Sequence, residues 1–419
     1  MQTTQQQGSS NTAWQITLAG MVALAVAMGI GRFAFTPILP MMLADGVTDL
    51  AAASWLASSN YLGYLLGAVL CTLQPWLWRR LGRSSAVDSP ALVRLGLVAT
   101  ALLTAGMAFE LPGLWPLLRF LAGVASAVVF LYVSGWSLAQ LARRQQAEMG
   151  ALIFIGPGAG IVVSGLIASA IVAWHGSAAI GWIVFALLAG ALSAMVWRIL
   201  RSHRDGAIAS EPLRPATDTE PSLAPAKAHG AAETALLAIG YGLGGLGYIV
   251  SATFLPVIAR LAIPTSVWLD LFWPLFGLGV MGGALVASRI RATSDLRWRL
   301  VVCNLLQALG VGIGLWWPSS AGFALGSVLL GLPMTATTYF AMQEVRRIAP
   351  RHTVAVMGLL TAVYGLGQVI GPPLTALFLA RSTSADQGFT LALLVAAGAL
   401  LLGGATFAAM TRLFPLRGG

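Results

Sequence analysis

Twelve long apolar stretches, joined by short connections, constrain the fold of this chain more than any other feature of its sequence. The first runs from Ile16 to Met42 and the last from Phe389 to Met410. Each has the roughly 20 apolar residues that an α-helix needs to cross a bilayer, and none shows the alternating pattern of a membrane barrel. Only 9% of the residues are charged, against about 25% in soluble domains. We therefore predict an all-α membrane protein with twelve transmembrane helices.

The basic residues predict how these helices are oriented. Most of the 24 Lys and Arg side chains fall in or beside the even-numbered connections and near the C-terminus, whereas Arg260 and Arg381 fall at the opposite face. Because cytoplasmic loops carry the excess of Lys and Arg, both termini are predicted to be cytoplasmic, in a bacterial inner membrane. The net charge of +10 is scattered between apolar segments, which argues against a nucleic-acid partner.

One connection is long and rich in proline. Residues 198–232 contain Pro212, Pro215, Pro221 and Pro225 among mixed charges, which is the composition of a solvated linker. It divides the chain into an N-terminal six-helix bundle, residues 1–197, and a C-terminal six-helix bundle, residues 233–419.

The two halves repeat one another. A shift of 216 residues places one set of residues, spread over two helices, onto a second set without a gap: Gly29, Gly31, Leu39, Pro40, Gly63, Gly67 and Ala68 onto Gly245, Gly247, Leu255, Pro256, Gly279, Gly283 and Ala284. Two homologous six-helix halves are the organisation from which transporters build a central site that is open to each side in turn.

Arg32 lies inside the first apolar stretch, just after Gly31 and five residues before Pro37. An arginine at the centre of a spanning helix costs about 2.5 to 3.5 kcal/mol on insertion scales and is expected to face a polar interior. Gly31 and Pro37 are expected to let the helix bend around a cavity. We predict that Arg32 binds substrate; the alternative is an arginine that only fixes helix packing.

Two further charged residues lie inside apolar stretches. Arg119 interrupts the fourth stretch, and either substrate binding or a structural role fits its setting. Asp270, in the eighth stretch, is a candidate for proton coupling because burial raises the pKa of a carboxyl group. Its alternative is an interfacial partner for Arg260. The excess of embedded positive charge favours an anionic or polar solute over a cationic one.

Polar residues within the stretches supply further candidates. Asn60 and Gln368 are amides inside apolar segments, and Tyr248 is the residue that the repeat places opposite Arg32. We predict that Tyr248, Asn60 and Gln368 join Arg32 and Arg119 in the substrate site.

Several kinds of chemistry find no support in the sequence. The glycine run Gly242–Gly247 follows no strand and precedes no lysine, so it predicts close helix packing rather than a phosphate loop. The four histidines lack the spacing of a zinc site, and no nucleophile stands beside a general base. We expect no enzyme, no cofactor and no metal. The Gln-rich start lacks the basic region of a secretory signal.

The motifs resemble those of the major facilitator superfamily along nearly the whole chain. Arg119 to Gly123 resembles its fourth-helix R-x-x-x-G motif. Gly156-Pro157-Gly158-Ala159-Gly160 resembles the fifth-helix G-P-x-x-G motif, found mainly in exporters that exchange solute for protons. The loop from Trp78 to Arg83 keeps the end of a third motif but lacks its aspartate.

A narrower resemblance is to the YbfB/YjiJ-type branch of that superfamily. It is carried by Gly29 to Pro37, Gly63 to Ala68, Gly247 to Pro256 and Gly365 to Pro373. The resemblance implies a monomeric rocker-switch transporter with the first, fourth, seventh and tenth helices around its cavity. We expect gating or helix bending at Gly31, Pro37, Gly156, Pro157, Gly158, Gly247 and Pro256.

These observations predict a secondary transporter that moves a small organic solute by alternating access, coupled to protons and directed toward export. Two alternatives stay open. A multidrug efflux antiporter for bulky apolar or cationic compounds requires an embedded acid more central than Asp270. A non-transporting membrane sensor requires a signalling domain, which neither the tails nor the linker offers.

Overall fold

The computed structural model describes residues 2–82, 87–200, 230–264, 266, 268–290, 295–350 and 352–416, with the side chains of residues 2–11 and 354 excepted. Within these ranges the chain is helical and contains no strand. Twelve of the helices are long and apolar enough to cross a membrane, so the prediction of an all-α protein with twelve transmembrane helices is confirmed. Most of the predicted linker, residues 201–229, lies outside the described ranges.

Following the division predicted from the sequence, we call the first six helices the first bundle and the other six the second bundle. The first bundle consists of α1 (Thr12–Ala44), α2 (Leu50–Arg80), α3 (Ser89–Gly106), α4 (Trp115–Arg143), α5 (Ala147–Ala173) and α6 (Ala178–Val196). The second consists of α7 (Gly230–Ala262), α8 (Leu269–Arg289), α9 (Leu296–Trp316), α10 (Ser320–Ile348), α11 (Thr353–Arg381) and α12 (Ala385–Leu413). Helix α7 begins at Gly230, inside the predicted linker 198–232.

The repeat seen in the sequence reappears where helices cross. A Cβ added at Gly63 of α2 would lie 1.9 Å from the carbonyl oxygen of Phe120 in α4. At the equivalent Gly279 of α8, it would lie 2.6 Å from the carbonyl oxygen of Val328 in α10. Both separations are shorter than any real Cβ contact, so only glycine permits these crossings. The two bundles therefore share one packing scheme.

Three helix pairs carry the main packing between the bundles: α2 with α11, α5 with α8, and α1 with α7. The sequence repeat makes α8 the counterpart of α2, and α11 the counterpart of α5. The first two pairs are therefore equivalent contacts, related by the approximate symmetry between the bundles. We call the side where α1 ends and α2 begins the outer face, following the charge-based prediction, and the side where α1 begins and α12 ends the terminal face.

Prolines free backbone carbonyls at this interface. Pro256 has no N–H, so it cannot hydrogen-bond the carbonyl of Ala252 one turn earlier in α7. Thr36 Oγ1 of α1 donates to that carbonyl at 3.1 Å. In α11, Pro373 leaves the carbonyl of Val369 free in the same way, and Ser58 Oγ of α2 donates to it at 2.7 Å. A hydroxyl group of the first bundle thus provides the missing hydrogen bond to each of these two carbonyls, those of Ala252 and Val369.

A third bond of this kind joins α5 to the start of α8. Ser169 Oγ donates to the carbonyl oxygen of Asp270 at 2.9 Å, four residues before Pro274. Pro274 itself packs against Gly165 of α5, where an added Cβ would lie 2.6 Å from its ring. All three bonds lie in the outer halves of their helices, so they hold the bundles together near the outer face.

A buried charge cluster ties helix ends together at the terminal face of the second bundle. Arg297 is fully buried and contacts both carboxylate oxygens of Asp295, at 2.8 and 2.7 Å. Arg347 contacts Glu344 at 2.6 Å and also Glu233. Burial by itself raises the pKa of Asp295, but the hydrogen bonds from Arg297 outweigh it and hold that pKa below its ordinary value. In the sequence, Arg297 counts only among the basic residues in or beside the even-numbered connections.

The crossing of α2 and α4 predicts the effect of one added methyl group. A Cβ at Gly123 would lie 2.1 Å from the carbonyl oxygen of Asn60. We expect Gly123→Ala to destabilise the protein by about 1 to 3 kcal/mol, the usual cost of overpacking. The measurement is the melting temperature of the purified protein in detergent, followed by tryptophan fluorescence.

Gly135→Ala is the matched control on the same helix, because an added Cβ there meets no atom within 4 Å. Alanine is the better helix former by about 1 kcal/mol, so this variant should melt at or above the wild-type temperature. Equal melting temperatures for the two variants would contradict the close crossing.

Candidate functional site

Helix α1 is interrupted near its middle. Residues Ala25–Arg32 form a π-helical segment, and regular α-helix resumes only at Phe35. At the break, the backbone N–H of Thr36 donates to the carbonyl of Phe33 at 3.2 Å instead of the carbonyl of Arg32. The interruption thus lies upstream of Pro37, and Gly31 lies within the π-helical segment. The carbonyl of Arg32 needs another partner, since the bilayer core offers no water.

Arg119 of α4 supplies that partner. Its Nη2 donates to the carbonyl of Arg32 at 3.1 Å, and its Nη1 lies 3.4 Å from the carbonyl of Gly31. Its guanidinium carbon also lies 4.9 Å from the ring centre of Phe35. The side chain is only 3% exposed. The structure therefore places Arg119, a predicted substrate ligand, against the backbone of the broken helix.

Arg32 connects the two bundles through one amide. Its Nη2 donates to Gln368 Oε1 of α11 at 2.5 Å, and Gln368 Nε2 donates to the hydroxyl of Tyr248 of α7 at 2.6 Å. All three side chains are less than 5% exposed. Three of the predicted site residues, from three helices and both bundles, thus form one hydrogen-bonded group, which we call the Arg32 group.

Aromatic rings surround the guanidinium of Arg32. Its central carbon lies 3.9 Å from the ring centre of Tyr64, 5.2 Å from that of Tyr61 and 5.4 Å from that of Phe33. Cations within about 6 Å of a ring centre are attracted to its face. Tyr61 also shares a hydrogen bond of 2.9 Å with Thr253 across the bundle interface.

Tyr61 and Tyr64 were not among the residues predicted for the site. Their spacing of three residues, which puts both on one face of α2, was the available signal.

Asn60 lies next to this group without joining it. Its Nδ2 donates to the carbonyl oxygen of Arg119 at 2.9 Å and so links α2 to α4. Its Oδ1, the Nε of Arg32 and the Nε of Arg119 are buried and accept or donate no hydrogen bond. Most buried polar atoms in proteins are hydrogen-bonded. The centre of the molecule therefore retains unused polar capacity on three predicted site residues.

Asp270 is held elsewhere. Its carboxylate pairs with Arg260, and the two side chains are 31% and 27% exposed. Arg260 also donates to the carbonyl of Pro256 at 3.2 Å. Among the described residues, the structure does not bring the Asp270 carboxylate into contact with the Arg32 group. This is the arrangement of the alternative, interfacial interpretation.

The residues predicted to bend or gate helices lie at close helix contacts. An added Cβ would lie 2.2 Å from the carbonyl of Met21 at Gly156, and 2.8 Å from that of Gly277 at Gly158. Pro157 lies between them, near the start of the α-helical part of α5.

In contrast to α1, α7 is one continuous helix through Gly247 and Pro256. Gly247 is itself a close contact, since an added Cβ there would lie 2.6 Å from the carbonyl of Ala396.

No group of three His, Cys, Asp or Glu side chains that could hold a metal ion occurs in the described part of the chain. What the centre offers is a buried guanidinium, an amide, a phenol and aromatic faces. Such a set can bind and orient a small polar molecule, but it contains no nucleophile activated by a base.

Comparison with known proteins agrees with this architecture. Two crystal structures of the nucleoside transporter NupG superpose on the chain with TM-scores of 0.73 and 0.68, covering 95% and 96% of this chain and 99% of the other. Both are 13% identical in sequence, so they show the fold alone. The 0.73 match is a point mutant of NupG. No curated protein sequence matches the chain.

The sequence profile of one protein family matches residues 24–408. That family is described as "Uncharacterised MFS-type transporter YbfB", and the match covers both bundles and every residue of the Arg32 group. The resemblance stated from the motifs is therefore confirmed. The chain belongs to the YbfB family of major facilitator superfamily transporters.

Proposed function

We propose that this protein moves a small organic solute, anionic or polar, by alternating access, and that the Arg32 group is its central binding site. The observation that carries the proposal is that a buried arginine has only a neutral hydrogen-bond partner. Gln368 accepts a hydrogen bond from Arg32 but does not cancel its charge. Within the described part of the chain no carboxylate contacts the Arg32 guanidinium.

An unpaired charge in a low-dielectric interior is unfavourable, and an opposite charge nearby relieves it. An anionic solute gains this charge–charge attraction, and a neutral polar solute accepts one hydrogen bond from the Nε of Arg32, which has no partner among the described residues. A bulky cation gains nothing here, because the aromatic faces of Tyr61 and Tyr64 already contact Arg32. The site thus supports the leading interpretation over a multidrug antiporter.

Alternating access requires contacts between bundles that can break. The three bonds from Thr36, Ser58 and Ser169 to backbone carbonyls close the outer side of the interface. Toward the terminal face, Tyr64 and Tyr364 are only half-buried. We propose that the site opens toward the terminal face, which is cytoplasmic, in a bacterial inner membrane, and that the transporter works as a monomer.

We further propose that transport is coupled to protons through Asp270 and directed toward export, as the Gly156-Pro157-Gly158 motif suggests. Asp270 lies at the outer end of α8, where its backbone contacts Ser169 of the first bundle. Its carboxylate ties the start of α8 to Arg260 of α7, so the ion pair fixes the position of the segment that Ser169 contacts. Because Asp270 is not in contact with Arg32, coupling runs through the interface rather than through the binding site.

Arg32→Gln tests the binding site. We expect transport to fall at least tenfold, because a hydrogen bond from a charged group contributes about 1.5 to 3 kcal/mol. The measurement is an untargeted comparison of metabolites retained by cells that express the wild type, the variant or no transporter, with nucleosides included among the compounds followed. Membrane expression and melting temperature are recorded for both proteins.

Arg412→Gln is the matched control, because Arg412 is exposed near the end of α12 and lies in none of the family motifs. This variant should retain the wild-type metabolite profile. A second variant, Gln368→Glu, introduces a carboxylate that pairs with Arg32 and should block anionic solutes. A fully active Arg32→Gln protein would refute the proposed site.

Thr36→Val combined with Ser58→Ala tests the outer closure. Each buried hydrogen bond contributes about 0.5 to 1.5 kcal/mol, so the two losses should raise the fraction of outward-open molecules at least fivefold. The fraction is measured from spin-label distances between Ala51→Cys of α2 and Ala380→Cys of α11, both exposed positions. Native Cys71 and Cys303 are first replaced by serine.

Thr100→Val is the control for this pair, since Thr100 is buried but bonds the carbonyl of Gly96 in its own helix at 2.8 Å. Its distance distribution should match the wild type. If the double variant shows no longer distances either, the hydroxyl-to-carbonyl bonds do not hold the outer side closed.

Asp270→Asn tests proton coupling. In cells that express the wild type, we expect a protonophore to reduce the change in retained metabolites that the transporter causes. In cells that express Asp270→Asn, the protonophore should have no such effect, because the asparagine side chain carries no titratable proton. Asp386→Asn, an exposed carboxylate near the start of α12, is the control and should keep the protonophore effect. A protonophore effect of wild-type size in Asp270→Asn would limit Asp270 to its ion pair with Arg260.

A further inference from the structure

A groove runs along the outer surface of the first bundle, between α3 and α6. Its volume is about 460 Å³, within the range of clefts that bind small organic ligands. Its walls are mostly apolar side chains: Leu97, Val98, Ala101, Leu102, Ala194 and Trp197. Leu102 of this wall and Leu187, one turn before Gly190 on α6, are 67% and 69% exposed. In a bilayer these leucines face lipid, so the groove opens to the acyl chains and not to the central site.

One end of the groove is positively charged. Arg198 lines it directly, just after α6 ends. Arg94 lies one turn before Leu97 on α3, and its guanidinium carbon is 5.4 Å from the ring centre of Trp197. In the described part of the chain neither arginine contacts a carboxylate. Both lie toward the terminal face, at the depth where tryptophan anchors a helix to the membrane interface.

We propose that this groove binds an anionic phospholipid, with one acyl chain along α3 and α6 and the headgroup phosphate between Arg94 and Arg198. Basic pockets between transmembrane helices on the cytoplasmic side bind anionic headgroups. The charge at one end and the apolar wall beyond it match the two parts of such a lipid. A free anion would use only the arginines, and a zwitterionic lipid carries its own cation beside the phosphate, so it gains less from Arg94 and Arg198.

The middle of the groove is open because of one glycine. A Cβ added at Gly190 of α6 meets no atom within 4 Å, so a larger side chain there fills the groove without disturbing the packing of the protein. Ser193, one turn later, donates to the carbonyl of Ala189 at 2.6 Å and leaves no free polar group on the wall. The wall at this depth therefore offers an acyl chain only apolar contact.

Native mass spectrometry of the full-length protein in detergent tests the proposal. The probes are dioleoyl phosphatidylglycerol and dioleoyl phosphatidylcholine, each added in a titration, with inorganic phosphate added separately. We expect the wild type to retain one phosphatidylglycerol in preference to phosphatidylcholine. Arg94→Gln and Arg198→Gln should each weaken phosphatidylglycerol binding about fivefold, since a basic side chain near an anionic surface contributes about 1 kcal/mol.

Gly190→Leu should abolish retention of this lipid while leaving the melting temperature unchanged. The matched control is Gly398→Leu on α12, where an added Cβ also meets no atom within 4 Å; it should bind lipid like the wild type. Equal retention of both lipids by the wild type, or of phosphatidylglycerol by all variants, would overturn the proposal. Displacement of phosphatidylglycerol by inorganic phosphate alone would also overturn it. So would the finding that the groove is a dimer contact, in which case Gly190→Leu would dissociate a dimer without loss of bound lipid.

Discussion

A bilayer core offers no water to a backbone carbonyl, so every carbonyl that a proline or a helix break leaves free must find a partner within the protein. In this transporter those carbonyls hold the structure together. Thr36 and Ser58 of the first bundle bind carbonyls freed by Pro256 and Pro373 of the second. Arg119 binds the carbonyl exposed by the break in α1. The prolines thus weaken single helices and strengthen the contacts between helices.

The two intramembrane arginines of the first bundle have different surroundings, although the sequence presents them alike. The guanidinium of Arg119 donates to the backbone carbonyls of Gly31 and Arg32, whose dipoles partly compensate its charge. These bonds also stabilise the interrupted segment of α1 beside Arg32. Arg32 has one amide and three aromatic faces, none of which carries a negative charge. We therefore propose that Arg119 positions Arg32 and that Arg32 binds the solute.

The fold follows from the sequence because its signals are long and redundant: apolar stretches, a proline-rich linker and a repeat with a constant offset. The repeat also pointed to Tyr248 as the counterpart of Arg32, and the structure joins the two through Gln368. The π-helical break is different, since it depends on which donors and acceptors α4 provides and not on Pro37 alone. The cluster around Arg297 was also beyond prediction, because it joins three short segments, around Glu233, Arg297 and Arg347, that are far apart in sequence and meet only when the helix ends assemble.

Because Gln368 bridges the two bundles, a solute bound at Arg32 would change how the bundles are held together. The Gln368 amide joins an arginine of one bundle to a tyrosine of the other, so a solute that takes over Nη2 of Arg32 also removes a tie between the bundles. We propose that this bridge holds the two bundles together until a solute displaces Gln368 from Arg32. On that proposal, the Nη2 atom that binds the solute is also the atom whose bond restrains movement when no solute is bound.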